Sequence, residues 1–174
     1  MEDSAAVVPA AAALQAVGNF NKMLDITLVT IGKIKDKSYS TLIAEYLKRL
    51  KPYARLKIVE LEAVAFSANT RDRAKDFEGE RIENYLLKQK ESVVYLLAER
   101  GEIFNSPDLA YWLERKSPLT LVVGGALGFS DFLYNKYPAL SLSPLTFPHE
   151  LARVVLLEQI YRATTILQKK SYHY

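Results

Sequence analysis

From residue 24 onward, apolar and polar positions alternate between a strand rhythm and a helix rhythm, and together they lay out a β-α-β-α series. Residues 24–31 read as a strand and 38–50 as a helix. Pro52 closes that helix, because proline cannot donate the next backbone hydrogen bond. Residues 56–63 alternate apolar and polar side chains and read as a strand. Residues 70–90 form a long charged helix with an expected inner stripe of Ala74, Phe77, Ile82, Tyr85 and Leu86. Residues 93–98 are wholly apolar, the pattern of a central parallel strand buried on both faces. Arg100, Gly101 and Glu102 then read as a turn. Ser106-Pro107-Asp108 reads as a helix start, with an N-cap serine, a proline at the first helical position and an acid. That helix carries the single tryptophan, Trp112. Residues 119–123 are another buried strand, running into Gly124-Gly125-Ala126-Leu127-Gly128. A short helix follows Ser130, a short strand covers 140–143, and a long helix covers 148–168.

This order predicts an α/β fold with a mainly parallel sheet flanked by helices. Ligands in such folds bind beyond the carboxyl ends of the strands, which directs attention to the glycine loop after Val123 and to the segment after Ser143. The final helix is apolar nearly all round and must be buried on more than one side. It is either a central helix of a monomer, which is awkward for a terminal element, or a helix shared with a second copy; a homodimer is expected.

Residues 1–22 break the pattern. The stretch 5–16 is rich in Ala and Val, but Glu2 and Asp3 stand where a signal peptide would carry positive charge. It is also too short to span a bilayer. It reads as a disordered extension or an expression remnant, leaving 23–174 as a single domain. No membrane association is expected.

Composition adds limits. The chain of 174 residues has 49% hydrophobic and 25% charged side chains, as in ordinary globular proteins. It has no cysteine, so disulfides and thiolate chemistry are excluded, and a reducing compartment fits. The net charge of +3 identifies no partner by itself. Yet residues 33–57 hold eight basic side chains opposed only by Asp36 and Glu45, an excess that can attract phosphates or be a solvated helix face. Two histidines, His149 and His173, make no metal site at this spacing. Glu158 and Arg162 stand at i,i+4 with the acid first, as a helix-stabilising ion pair does.

Two segments can carry binding. The glycine loop lets backbone approach a ligand, though it matches neither a P-loop nor the G-x-G-x-x-G fingerprint, and a tight turn would need the same glycines. The run Leu140-Ser-Leu-Ser-Pro-Leu-Thr-Phe-Pro-His149 can present backbone donors and acceptors in a fixed shape suited to an adenine edge, or serve as a rigid connector.

Taken together, the sequence resembles one family, the bacterial RlmH family of large-subunit rRNA pseudouridine N3-methyltransferases. The resemblance covers about residues 23–174. It rests on Val29-Thr-Ile-Gly-Lys33, Glu45-Tyr-Leu-Lys-Arg-Leu50, Phe77-Glu-Gly-Glu80, Leu96-Leu-Ala-Glu-Arg-Gly101, Val122-Val-Gly-Gly125, Leu140-Ser-Leu-Ser143, Thr146-Phe-Pro-His149, Arg153, Glu158-Gln-Ile-Tyr-Arg-Ala163 and Tyr172-His173. It implies a SPOUT-type α/β knot, in which the C-terminal segment threads a loop as a trefoil knot, a rarity among folds. It also implies a cytoplasmic homodimer that binds S-adenosylmethionine in the knot. The implied substrate is a pseudouridine in the helix 69 stem-loop of 23S rRNA, in assembled ribosomes.

Carried over by position, the cofactor site comprises Leu97, Gly124, Leu142, Ser143, Pro144, Leu145, Thr146 and Phe147. Arg153, Arg162, Tyr172 and His173 are implied in RNA binding. Methyl transfer needs the N3 proton to leave, and His149 and His173 are the side chains whose ordinary pKa suits that work near neutral pH. Tyr172 offers a stacking ring, and Arg162 can stabilise negative charge. The catalytic candidates are therefore His173, Tyr172, Arg162 and His149, with no metal. Two rivals remain: a nucleotide-binding α/β protein of another class, and a non-catalytic ribosome-binding dimer that keeps the fold.

Overall fold

A computed structural model describes residues 23–89 and 91–173, and for His173 only its place in the backbone. The extension expected over 1–22, and Tyr174, lie outside the described residues. Five parallel strands form one sheet: β1 (Leu24–Ile31), β2 (Ala54–Leu61), β3 (Val93–Ile103), β4 (Leu119–Val123) and β5 (Ala139–Ser141), in the order β2-β1-β4-β3-β5. The helices are α1 (Lys37–Leu50), α2 (Arg71–Leu86), α3 (Ser106–Lys116), α4 (Asp131–Lys136) and α5 (His149–Leu167).

Alternation along the strands builds two cores. Leu24, Ile26 and Leu28 of β1, with Leu119, Leu121 and Val123 of β4, face α1, α3 and α5. Val29, Ile31 and Val122 face the opposite way, against Ile82 and Leu86 of α2 and Leu133 of α4. Every residue of β4 is buried, so β4 is the central strand buried on both faces. Residues 93–98, expected in that role, begin with Val93 at 45% exposure.

Several expectations shift. The strand expected over 56–63 runs two residues earlier, because β1 pairs Leu24 with Ala54 and Ile31 with Leu61. The N-cap of α3 is Asn105, not Ser106; its side-chain oxygen accepts the Asp108 N–H at 2.8 Å, and Pro107 falls at the second helical position. The last strand stops at Ser141, leaving Leu142 and Ser143 in the following loop.

The expected turn at Arg100-Gly101-Glu102 belongs to β3 instead. Leu140 of β5 pairs with both Leu97 and Glu102, so residues 98–101 bulge out and β5 crosses the base of the bulge. Gly101 makes room for that crossing: a Cβ there would lie 2.5 Å from the Leu140 carbonyl carbon.

In α2 the buried line is Ala74, Glu78, Ile82 and Leu86, at four-residue spacing. Phe77, expected on it, is 41% exposed and lies under the Arg73 guanidinium, 5.3 Å from the ring centroid.

Helix α5 is covered on more than one side, as its apolar pattern predicts. It lies on the sheet between α1 and α3, and no residue of it is exposed. A terminal helix can thus be central, because the chain returns across the sheet after β5. The apolar circumference that suggested a partner is covered largely within this chain.

Candidate active site

The middle of β3, the carboxyl end of β4 with the glycine loop after it, and the segment entering α5 with its first turn surround a cavity of about 530 Å³. Leu97, Ala98 and Glu99 supply one wall, the glycine loop another, and Thr146, Phe147 and His149 the third. A space of about 70 Å³ adjoins it, sharing Leu97, Thr146 and Phe147 and extending along Leu142, Ser143 and Leu145. Seven of the eight residues expected to bind cofactor therefore line one continuous region; Pro144 is not among its walls.

Local chemistry fixes these walls. Gly128 has φ of 71° and donates its N–H to the Gly125 carbonyl at 3.1 Å, closing a tight turn that left-handed backbone requires. A Cβ on Gly124 would lie 3.3 Å from the Gly128 carbonyl carbon and oxygen. The loop is thus both a tight turn and a cavity wall. The Ser141 hydroxyl, 4% exposed, lies 3.1 Å from the Glu99 carbonyl and accepts the Ser143 N–H at 3.2 Å, tying the loop after β5 to the end of β3. Ser143 Oγ in turn accepts the Leu145 N–H at 3.0 Å. Leu145 itself is 71% exposed.

Beyond β1 and β2 lies a further cavity of about 470 Å³, lined by residues 32–33, 35, 63–66 and Glu78, and sharing Gly125, Ala126 and His149 with the first. His149 thus stands between two cavities. Burial lowers its pKa from the ordinary 6.5, and the positive charges of Arg153 and Lys35 add to the effect against the opposing carboxylate of Glu150, so the neutral imidazole is favoured. Glu150 beside it accepts the N–H groups of Lys35 and Asp36 at 3.2 and 3.1 Å, fastening the loop after β1 to the start of α5.

The residues expected to meet RNA fall in different places. Arg153 was expected to meet RNA, but its side chain is buried; it donates to the Ile31 carbonyl at the end of β1, with Glu60 4.0 Å away. Arg162 is paired with Glu158 at 2.7 Å, the i,i+4 pair read from the sequence. A positive-φ Lys169 turns the chain after α5: the N–H of Lys169 reaches the Ile166 carbonyl and that of Lys170 the Thr165 carbonyl, a Schellman closure. The tail is thereby folded back, with Tyr172 edge-on to Tyr161 at 4.9 Å and Arg162 5.2 Å from its ring centre. Thirteen residues along α5 separate His149 from Arg162, about 20 Å at the helical rise. The side chain of His173 lies outside the described residues.

Sequence reasoning did not single out Glu99, Tyr134 or Glu78. Both Glu99 and Glu78 lie inside motifs that carry the family resemblance, and Glu99 directly follows the apolar run 93–98 within β3. Among the described residues, no group of three or more His, Asp or Glu is placed to hold a metal ion, and no helix is long and apolar enough to cross a membrane.

A family model described as predicted SPOUT methyltransferase matches residues 24–173. The chain is also 38% identical over 157 residues to the ribosomal RNA large subunit methyltransferase H of Kosmotoga olearia, covering 87% of this chain and 100% of the relative.

Proposed function

Because the chain belongs to the SPOUT methyltransferase family, we propose that it methylates large-subunit ribosomal RNA with S-adenosylmethionine, at N3 of a pseudouridine in the helix 69 stem-loop of 23S rRNA in assembled ribosomes. The observation that carries the reading is the cavity between the middle of β3, the glycine loop after β4 and the start of α5, with His149, whose pKa burial lowers, on its edge. The residues fit the cofactor. The volume is in the range of small-molecule sites, roughly 300–1,000 Å³. The wall at Gly124 is one that a Cβ would crowd. The smaller space under residues 142–147 offers backbone donors and acceptors for the adenine edge.

Bound there, S-adenosylmethionine supplies an electrophilic methyl carbon on a sulfonium. Leu97, Gly124 and residues 142–147 hold and orient it, and Leu145, exposed beforehand, can cover it. His149 would take the proton from N3, freeing the N3 lone pair for the methyl carbon that the bound cofactor would present. Positioning carries most of the rate, since in-line displacement needs little further covalent help.

The trefoil knot belongs to the same reading. It is supported by the crossing of β5 under the bulge of residues 98–101. So does the homodimer: Arg162 and Tyr172 lie about 20 Å along α5 from their own His149, so they can act on a reacting base only from a second copy. A cytoplasmic location follows from a ribosomal substrate. The test is transfer of tritiated methyl from S-adenosylmethionine to ribosomes lacking the modification. Incorporation at the single helix 69 position is expected, and no incorporation into any rRNA overturns the reading.

A further inference from the structure

The second cavity shares none of the residues proposed to hold the cofactor, and it is built around a feature that folding alone does not favour. Glu78 is 3% exposed on the buried line of α2. Its Oε1 accepts the Val64 N–H at 3.0 Å, while Oε2, directly under Gly125, has no partner among the described residues. The nearby Arg81 is spent on the Glu62 carbonyl. An unpartnered buried carboxylate oxygen is unfavourable to folding where an apolar side chain would not be. Burial accordingly raises the Glu78 pKa.

The rest of the cavity shows what such an acceptor could serve. It abuts the first cavity through Gly125, Ala126 and His149, so a group seated in it faces the place of methyl transfer. Lys33 and Lys35 line it, and both can meet phosphate. Phe66 lines it too, 48% exposed, an aromatic face left to solvent. Cations, a free aromatic face and a polar floor are what an extruded nucleotide requires.

We infer that the second cavity receives the target base and that Glu78 reads it, accepting the ring N1–H that pseudouridine has and uridine lacks. The inference rests on the function proposed above. Pseudouridine is joined to its sugar through carbon, so both ring nitrogens carry protons. With N3 turned to His149 and the cofactor cavity, N1–H points to another wall. In uridine N1 is the glycosidic atom and offers no proton, so the carboxylate would stay unpaired.

The variant is Glu78→Gln, which keeps a carbonyl oxygen for the Val64 N–H but replaces the other acceptor by a donor. Initial methylation rates are compared on ribosomes carrying pseudouridine or uridine at the target position, with calorimetry of S-adenosylmethionine alongside. The expected result is a roughly 10- to 100-fold loss on pseudouridine, little change on uridine, and unchanged cofactor affinity. An unaltered preference between the two ribosomes overturns the inference. A titration of the parent with pseudouridine 3′,5′-bisphosphate, followed by amide NMR, needs no methyl transfer. Shifts at Val64, Glu78 and Gly125, absent with uridine 3′,5′-bisphosphate, support the pocket even if the parent methylates neither ribosome, which would defeat only the function above. The same shifts with both nucleotides, or none with either, overturn the inference. If Glu78→Gln does not fold, Phe66→Ala removes an exposed ring without touching the core; it should weaken the pseudouridine nucleotide, and undiminished binding counts against the pocket.

Discussion

His149 stands where the two cavities meet, and its charge state decides what it can do there. Neutral imidazole is the form that accepts a proton, and burial together with Arg153 and Lys35 favours that form. The rate of methyl transfer should therefore hold as pH falls past 6.5, the ordinary histidine value, and decline only through a lower pKa. A rate–pH profile limited at 6.5 or above would remove His149 from the role, and His149→Ala should erase the acid limb. The same shift is linked to stability: because the folded pKa is lowered, the contribution is full above 6.5 and is lost as pH falls through the folded value. Gly124 is the other decisive residue of the first cavity. A Cβ there already lies 3.3 Å from Gly128, and the larger side chain of Gly124→Val would displace the turn or fill the cavity. Cofactor affinity should fall on the order of 100-fold, about 3 kcal/mol, with the far-ultraviolet circular dichroism unchanged. Calorimetry giving the parent's affinity would show that the cofactor sits elsewhere.

At the scale of elements, α5 carries the clearest division between support and chemistry. Its Arg153 is 2% exposed and spends a guanidinium hydrogen bond on the carbonyl at the end of β1, so it holds the strand whose following loop forms the second cavity. Arg153→Ala leaves that carbonyl unpaired beside a void and should lower unfolding free energy by about 3 kcal/mol or more. A residue whose work is phosphate contact would leave the urea midpoint nearly unchanged, so denaturation separates the two. The elements also show where the sequence was legible. The ends of β1 and β4 were readable because their apolar runs stop at glycine, and α1 because Pro52 closes it. The loops that line the first cavity were readable because parallel strands in such folds direct attention to the loops beyond their carboxyl ends. Hydrophobic pattern failed where tertiary packing overrode it. It chose Phe77 over Glu78 because a buried carboxylate is the reverse of what burial favours, and such local violations mark functional positions. It read a turn in β3 because the pairing of Leu140 with residues on both sides of a bulge is invisible to local periodicity. For α5 it reported a helix buried on more than one side, which α1, α3 and the sheet provide, but it cannot report which chain does the burying.

At the scale of the whole molecule, the question is how residues about 20 Å apart on one helix could serve one reaction. Within the chain, the tail is docked away from the cavity, with Tyr172 against Tyr161 and Arg162, and its hydroxyl 3.4 Å from Glu158. A symmetric dimer resolves the separation if each tail acts at the other copy's site. Sedimentation should then give a dimer at micromolar concentration. Deleting residues 171–174 should leave folding and cofactor affinity nearly intact while removing most methyl transfer, because neither Ser171 nor Tyr172 belongs to either buried core. Complementation makes the arrangement decisive. A His149→Ala protein and the tail-deleted protein should each be nearly inactive alone. Mixed one to one and allowed to exchange, half the dimers pair one of each. In each such pair the tail of the first meets the intact His149 of the second, restoring about a quarter of the parent's sites. If the tail served its own chain, every site in the mixture would still lack one part and no activity would return.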